Sequence, residues 1–198
     1  MPTSTDNTTA NISFVTDRLA VGGDLAADDV TAVSQLQHLV RRGVSHIIDA
    51  RSEWSDEAFV AAHAPQVAYL HHGLEDAGQR VPASWFHTGV DFALHALADP
   101  DAVVLTHCHM GINRGPSLGF AVLLALGWDA VDALAAIRSV RPIAYIDYAE
   151  DAVRWHHEVS GSAPQGLRRD LRRVATWRAQ NRLDVAAVIR GIRQTEAR

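Results

Sequence analysis

The segment THCHMGINRGPS, residues 106–117, carries a thiol, a glycine and a guanidinium at short offsets. Cys108 is the only cysteine among 198 residues, Gly111 follows three positions later and Arg114 six. The apolar run AVVL stands before the segment and LGFAVLLAL after it, so a strand gives way to a helix around the thiol. A strand-to-helix turn aims successive backbone N–H groups at one point, at the positive end of the helix dipole, and binds anions without help from side chains. Gly111 allows a backbone conformation closed to other residues. Arg114 can grip two oxygens of the same anion. A thiol on the floor of such a cradle gains the same dipoles and the same positive charge once it is a thiolate. The segment therefore offers a nucleophile and a receptor for a tetrahedral oxyanion together, and phosphate is the natural ligand. The competing reading of a lone cysteine is an inert, buried one.

The elements around this loop read as alternating strands and helices. Residues 12–22 form a short β-hairpin, Val30–Val40 a helix stopped at Gly43, Ser45–Ala50 a buried strand, Asp56–His63 a short helix and Gln66–Leu70 another strand. HHGLEDAGQRVP, from His71 to Pro82, reads as a long loop. A helix follows to Leu97, then a strand over Ala102–Thr106 and a buried helix over Pro116–Leu126. Asp129 caps a helix over Ala130–Val140, and Tyr148–Val159 forms one more. This alternation predicts an α/β fold with a central, mainly parallel sheet flanked by helices on both faces, and a C-terminal helical extension. The expected layout is a disordered tail at 1–11, a domain at 12–160, a linker at 161–166 and an arginine-rich helical extension at 167–198. The adjacent pairs His71-His72 and His156-His157 lack metal-ligand spacing and read as surface or packing residues. No metal or other cofactor is expected.

Composition sets the frame. At 47% hydrophobic and 21% charged residues, the chain suits one domain with a real core. No stretch is long enough to span a bilayer, and the polar N-terminus does not read as a signal peptide, so a cytoplasmic location is expected. All eighteen basic residues are arginine, which reads as the codon bias of a GC-rich bacterial genome. Residues 1–163 hold 9 Arg and 20 acids and residues 164–198 hold 9 Arg and 3 acids, so a body near −11 carries a tail near +6. Such a tail docks on its own acidic body, self-associates or meets an anionic partner.

His107-Cys108-His109-Met110-Gly111-Ile112-Asn113-Arg114 resembles the His-Cys-x2-Gly-x2-Arg signature of the cysteine-dependent protein tyrosine phosphatases, and the compact dual-specificity branch in particular. The similarity runs from about Ile12 to Trp155 and includes LAVGG and Arg141-Pro142. It implies that Cys108 forms a phosphocysteine. Arg114 and the backbone N–H groups of His109, Met110, Gly111, Ile112, Asn113 and Arg114 would hold the phosphoryl oxygens. His107 would orient the loop and help keep the thiol ionised. A separate upstream loop would supply a general acid, for which Asp76 stands at the right remove and Glu75 is the rival. One departure is clear: the family usually has Ser or Thr after the arginine, and this chain has Gly115, with Ser117 as a substitute one step on. The resemblance then implies slow breakdown of the intermediate.

The expected substrate is protein phosphotyrosine, with phosphoserine and phosphothreonine as further candidates. Gly-Ile-Asn-Arg also echoes the loop of RNA 5′-triphosphatases on the same fold, which keeps an RNA-end or small-metabolite phosphatase open. Gly115 keeps open a phosphate-binding module that turns over slowly. The acidic body weighs against a nucleic-acid partner, and no membrane partner is expected.

Overall fold

A computed structural model describes residues 9–196. Five strands form one sheet in the order β1-β2-β5-β3-β4. They are β1 (Ile12–Thr16), β2 (Leu19–Gly22), β3 (Val44–Arg51), β4 (Ala68–Leu74) and β5 (Val103–His107). Only β1 runs antiparallel; β2, β5, β3 and β4 are mutually parallel. Eight helices complete the described residues: α1 (Asp29–Arg41), α2 (Glu57–His63), α3 (Ala83–Leu97), α4 (Arg114–Ala125), α5 (Ala130–Val140), α6 (Ala149–Val159), α7 (Pro164–Gln180) and α8 (Val185–Glu196).

Strands buried on both faces read as near-continuous apolar runs, and β2 and β5 are buried at every position. Successive side chains serve opposite layers. Leu19, Val21, Ile48 and Val104 join Phe86, Leu118, Phe120, Leu134 and Trp155 under α3 to α6. Ala20, Ile47 and Leu105 meet Leu36, Leu39 and Val60 under α1 and α2. Asp28 caps α1 through the Thr31 amide, and Asp129 caps α5 through those of Val131 and Asp132. Gly43 ends the first helical unit at φ +87°.

Three expectations are corrected. The loop predicted from His71 onward starts later, because β4 continues through His71 and His72 to Leu74. His71 is held by the Arg51 carbonyl, and His72 stacks on Trp85, so polar side chains satisfied on an edge strand hid its pattern. The tail predicted at 1–11 is ordered by residue 10: Ala10 is buried, and the Asn11 carbonyl accepts from Gly23. Residues 1–8 lie outside the described residues. Finally, α7 begins at Pro164 inside the predicted linker, since proline suits the first helical position.

Helix α7 lies on the domain rather than apart from it. Val174 is fully buried, Leu167, Leu171 and Trp177 pack against the main core, and Arg173 and Arg178 pair with Asp129 and Asp147. Part of the positive tail is thereby spent on the acidic body.

Register explains where the chemistry sits. His107 at the end of β5 is level with Gly22 of β2 and Asp49 of β3, and Arg51 of β3 is level with Leu74 of β4. The chain leaving β5 toward Cys108, β3 toward Glu53 and β4 toward Asp76 therefore emerges at one edge. The carboxyl ends of parallel strands are where open α/β sheets place their ligands.

Candidate active site

The loop from His107 to Arg114 wraps around Cys108, whose residue surface is only 3% exposed. Four successive carbonyls, from His109 to Ile112, are engaged by groups outside the loop. His109 O accepts from the Asp24 amide at 2.9 Å, and Ile112 O from the Tyr145 amide at 2.7 Å. Met110 O and Gly111 O accept from the Arg141 guanidinium at 3.0 and 2.5 Å. With the carbonyls turned out, the N–H groups of His109 to Arg114 find no acceptor among the described residues. Six unspent donors in one turn, at the start of α4, make an oxyanion nest. Gly111 stands at φ +63°, and a Cβ there would collide with the Arg141 guanidinium and lie 2.5 Å from Gly22 O.

Two arginines, Arg114 and Arg141, lie close enough to Cys108 for a charge on it to favour their cationic forms. Arg141 is buried and bonds only to neutral oxygens: the two loop carbonyls, Asn11 Oδ1 and Ser13 Oγ. It has no carboxylate partner among the described residues, and burial pulls its pKa down while Cys108 pushes it up. Arg114 is arranged differently. Glu53 takes its end-on edge with hydrogen bonds of 2.7 and 2.8 Å, and Leu74 O takes another Nη1 proton at 2.9 Å. A guanidinium has five N–H donors. The two that remain, Nε–H and the second Nη2 proton, form the side-on fork that fits two oxygens of one anion. Nε is buried without a hydrogen-bond partner, which marks a donor awaiting a ligand. Hydrogen bonding from Arg114 holds the Glu53 carboxyl down to about 2, so the clamp is fully ionised at neutral pH.

Asp76 reaches the same place. Its Oδ2 lies 3.5 Å from Arg114 Nε, at ion-pair distance without hydrogen-bond alignment. Its Oδ1 accepts from Asn113 Nδ2 at 2.7 Å and from the Tyr148 hydroxyl at 2.9 Å. Oδ1 is saturated, and Oδ2 is the oxygen that faces Arg114. The neighbouring Glu75 contributes its backbone carbonyl to Gln79 and is exposed. Of the two rivals, geometry brings Asp76 to the loop.

The remaining predicted residues take other roles. His107 is wholly buried, and desolvation lowers its pKa to about 4. It is a neutral imidazole at pH 7, with Asp49 and Asp24 at 3.8 and 4.0 Å, beyond hydrogen-bond length. A neutral His107 adds no positive charge beside the thiol, whereas the buried guanidinium of Arg141 does. Ser117, the expected substitute hydroxyl, is buried and its Oγ donates to Asn113 Oδ1 at 3.2 Å. The side chain of His109 is tethered by Asp24 at 2.6 Å and rests edge-on against Trp54. A Cβ on Gly115 would lie 2.8 Å from the backbone of His107 and 3.0 Å from Cys108 N, so this backbone has no room for the usual Ser or Thr.

Sequence reasoning missed Glu53, Tyr148 and the part played by Arg141. Nothing local in RSEWSDE distinguishes Glu53 from its neighbours; its one signal is that it leaves a strand adjacent to β5. Among the described residues no group of three or more His, Cys, Asp or Glu is arranged to hold a metal ion.

Comparison with known proteins bears on the fold. No family model matches the chain. Dual specificity protein phosphatase 26 of Rattus norvegicus is 27% identical over 119 residues, which cover 58% of this chain and 55% of that protein. The protein of the same name from Homo sapiens is 28% identical over 99 residues, or 48% of this chain and 46% of its own length. The chain thus matches about half the length of these curated relatives. Among solved structures, PTPMT1 in complex with PI(5)P has a TM-score of 0.63 at 20% identity, covering 76% of this chain and 97% of that one. Human DUSP28 has a TM-score of 0.61 at 18% identity, covering 76% and 95%.

Proposed function

We propose that this chain, which has the fold of the dual-specificity type of cysteine-dependent tyrosine phosphatases, hydrolyses phosphomonoesters through a phosphocysteine. The observation that carries the reading is the pair of unspent donor sets around one sulfur: six backbone N–H groups and the free fork of Arg114. An in-flight phosphoryl group spreads its charge over three equatorial oxygens, and preorganised donors aimed at those oxygens are the largest contribution a protein can make.

In the first step Cys108 Sγ, as thiolate, forms the S–P bond while the bond from phosphorus to the leaving oxygen breaks. That oxygen takes the proton from Asp76 Oδ2. In the second step a water oxygen attacks phosphorus and gives its proton to the Asp76 carboxylate. The S–P bond breaks, and inorganic phosphate leaves. Arg114 and the nest hold the phosphoryl oxygens throughout, and Glu53 keeps the guanidinium from turning. In this reading the charge that a metal would otherwise supply comes from Arg114, Arg141 and the amides.

The substrate class we favour is phosphotyrosine in proteins, with phosphoserine and phosphothreonine as smaller substrates. The name of the curated relatives supports it. A second reading, a phosphatase of RNA ends or small polyanionic metabolites, has one observation in its favour. Arg138, Arg178 and Arg182 border a cavity of about 390 Å³ beside Tyr145. Arg178 is paired with Asp147, while Arg138 and Arg182 have no carboxylate partner among the described residues.

Release of phosphate from p-nitrophenyl phosphate by the wild type but not by Cys108→Ser tests the chemistry. Phosphotyrosine peptide and 5′-triphosphorylated RNA, assayed side by side, separate the substrate classes. Absence of turnover on every phosphomonoester would end the proposal.

A further inference from the structure

We infer that Arg178, in the C-terminal helix α7, is a positioning residue for the acid Asp76. The inference rests on the phosphatase reading above and extends the machinery to a helix beyond the domain predicted from sequence.

The connection can be followed bond by bond. Arg178 Nη2 donates to Asp147 Oδ1 at 2.6 Å and Nη1 to Asp147 O at 3.2 Å. The Asp147 amide donates to Asn113 Oδ1 at 2.7 Å. A backbone N–H can only donate, so it fixes which end of the Asn113 amide is oxygen; Ser117 Oγ donates to the same atom. The Nδ2 end must then point the other way, to Asp76 Oδ1 at 2.7 Å. The next residue after Asp147 is Tyr148, whose hydroxyl is the second donor to that oxygen, at 2.9 Å. One clamp on Asp147 therefore sets both hydrogen bonds that orient the carboxyl.

A second, independent feature says the clamp is needed. Ile146 stands at φ +55°, the only positive φ outside glycine among the described residues. A β-branched residue there is strained, and such a backbone persists only where its surroundings over-determine it. Core burial of Ile146 and Tyr148, the Tyr145 and Ile146 amides on Ile112 O and the Asp147 amide on Asn113 hold the segment from within the domain; Arg178, whose guanidinium also lies over the Tyr145 ring at 5.0 Å, is the restraint that α7 adds. Without Arg178 the segment 145–148 can relax toward ordinary φ, and Asn113 and Tyr148 lose their hold on Asp76. The helix itself stays docked, because buried Val174, the Trp177 packing and the pairs of Arg173 with Asp129 and of Asp170 with His157 do not involve Arg178.

The test is kcat/KM for aryl phosphates of graded leaving-group pKa, on full-length wild type, Arg178→Ala, Asp147→Ala and the double variant, with melting curves to confirm folding. General acid catalysis supplies ~10²–10⁴-fold, and a misaimed acid forfeits part of it. Arg178→Ala should therefore lose about tenfold on phenyl phosphate and less than about twofold on p-nitrophenyl phosphate. Asp147→Ala should show the same split, the double variant should be no worse than either, and Arg178→Lys should recover part of the loss. Equal losses across the series, additive losses or no loss would overturn the inference while leaving the phosphatase reading intact. A wild type inert on every aryl phosphate would overturn both.

Discussion

Glu53 grips Arg114 end-on, through Oε2 on Nη1 at 2.7 Å and Oε1 on Nη2 at 2.8 Å. The pair joins the loop after β3 to the first residue of α4, and it decides which edge of the guanidinium is left for a phosphoryl group. An arginine anchored on one edge presents the other with little rotamer freedom to lose on binding.

Glu53→Ala should therefore lower kcat/KM without abolishing it. A reacting group displaced by about 1 Å costs on the order of 10²-fold, and we expect a loss of about ten- to a hundredfold on any phosphomonoester. Steady-state kinetics measure it. An unchanged kcat/KM would mean that the loop alone orients Arg114.

Asp76→Asn should remove the proton donor while keeping the shape of the side chain. The loss in kcat/KM should approach about 10²–10⁴-fold for basic leaving groups and shrink for p-nitrophenolate, which departs unaided. A uniform loss across a leaving-group series would remove Asp76 from the acid role.

Gly115→Ser tests whether this position can accept the hydroxyl that related loops carry. A Cβ there would lie 2.8 Å from the backbone of His107. Overpacking of this kind costs about 1–3 kcal/mol. Thermal denaturation should show a loss of roughly 2–4 °C per kcal/mol for a chain of this size. Activity should fall as the loop is displaced; a variant as stable as wild type with faster release of phosphate from the intermediate would refute the crowding argument.

The pH dependence of stability follows from buried His107 and half-buried Asp24, whose contributions have opposite signs. Desolvation lowers the pKa of His107 from 6.5 to about 4, so the unfolded chain binds the extra proton first and stability falls as pH drops from 6.5 to 4. Desolvation, partly offset by Arg51 and His109, raises Asp24 from 3.8 to about 6. Here the folded state binds the proton first, so stability rises as pH drops from 6 to 3.8. The two contributions oppose each other over nearly the same window. Asp24→Asn removes one of them and should make melting temperature fall more steeply than in wild type between pH 6.5 and 4. A slope unchanged or shallower in the variant would contradict this assignment.

The nest around Cys108 was legible in the sequence because everything that makes it is local. An apolar strand, a glycine free to take φ +63° and the start of a buried helix suffice to leave six N–H groups without an acceptor, and these signals lie within about a dozen residues. The alternation of strands and helices was legible for the same reason, since short apolar runs and helical spacing are each read within one element. The second half of the edge strand β4 was not, because His71 is held by the Arg51 carbonyl of β3 and His72 by the Trp85 carbonyl of α3, so neither needs an apolar pattern.

What tertiary structure alone decided is which distant side chains complete the site. Glu53 and Arg114 are 61 residues apart in sequence, Asp76 and Asn113 are 37 apart, and Arg141 and Gly111 are 30 apart. No periodicity encodes such pairs. They arise because three neighbouring parallel strands end at one edge and because the turn before α6 folds back against the loop. The sequence by itself set a cysteine in an anion-binding turn; the folded sheet decided which side chain holds the arginine, which carboxyl stands beside it and which guanidinium engages the loop carbonyls. The physical reason is range: backbone dipoles and dihedral preferences act within a few residues, whereas hydrogen bonds between side chains exist only once packing has brought their backbones together.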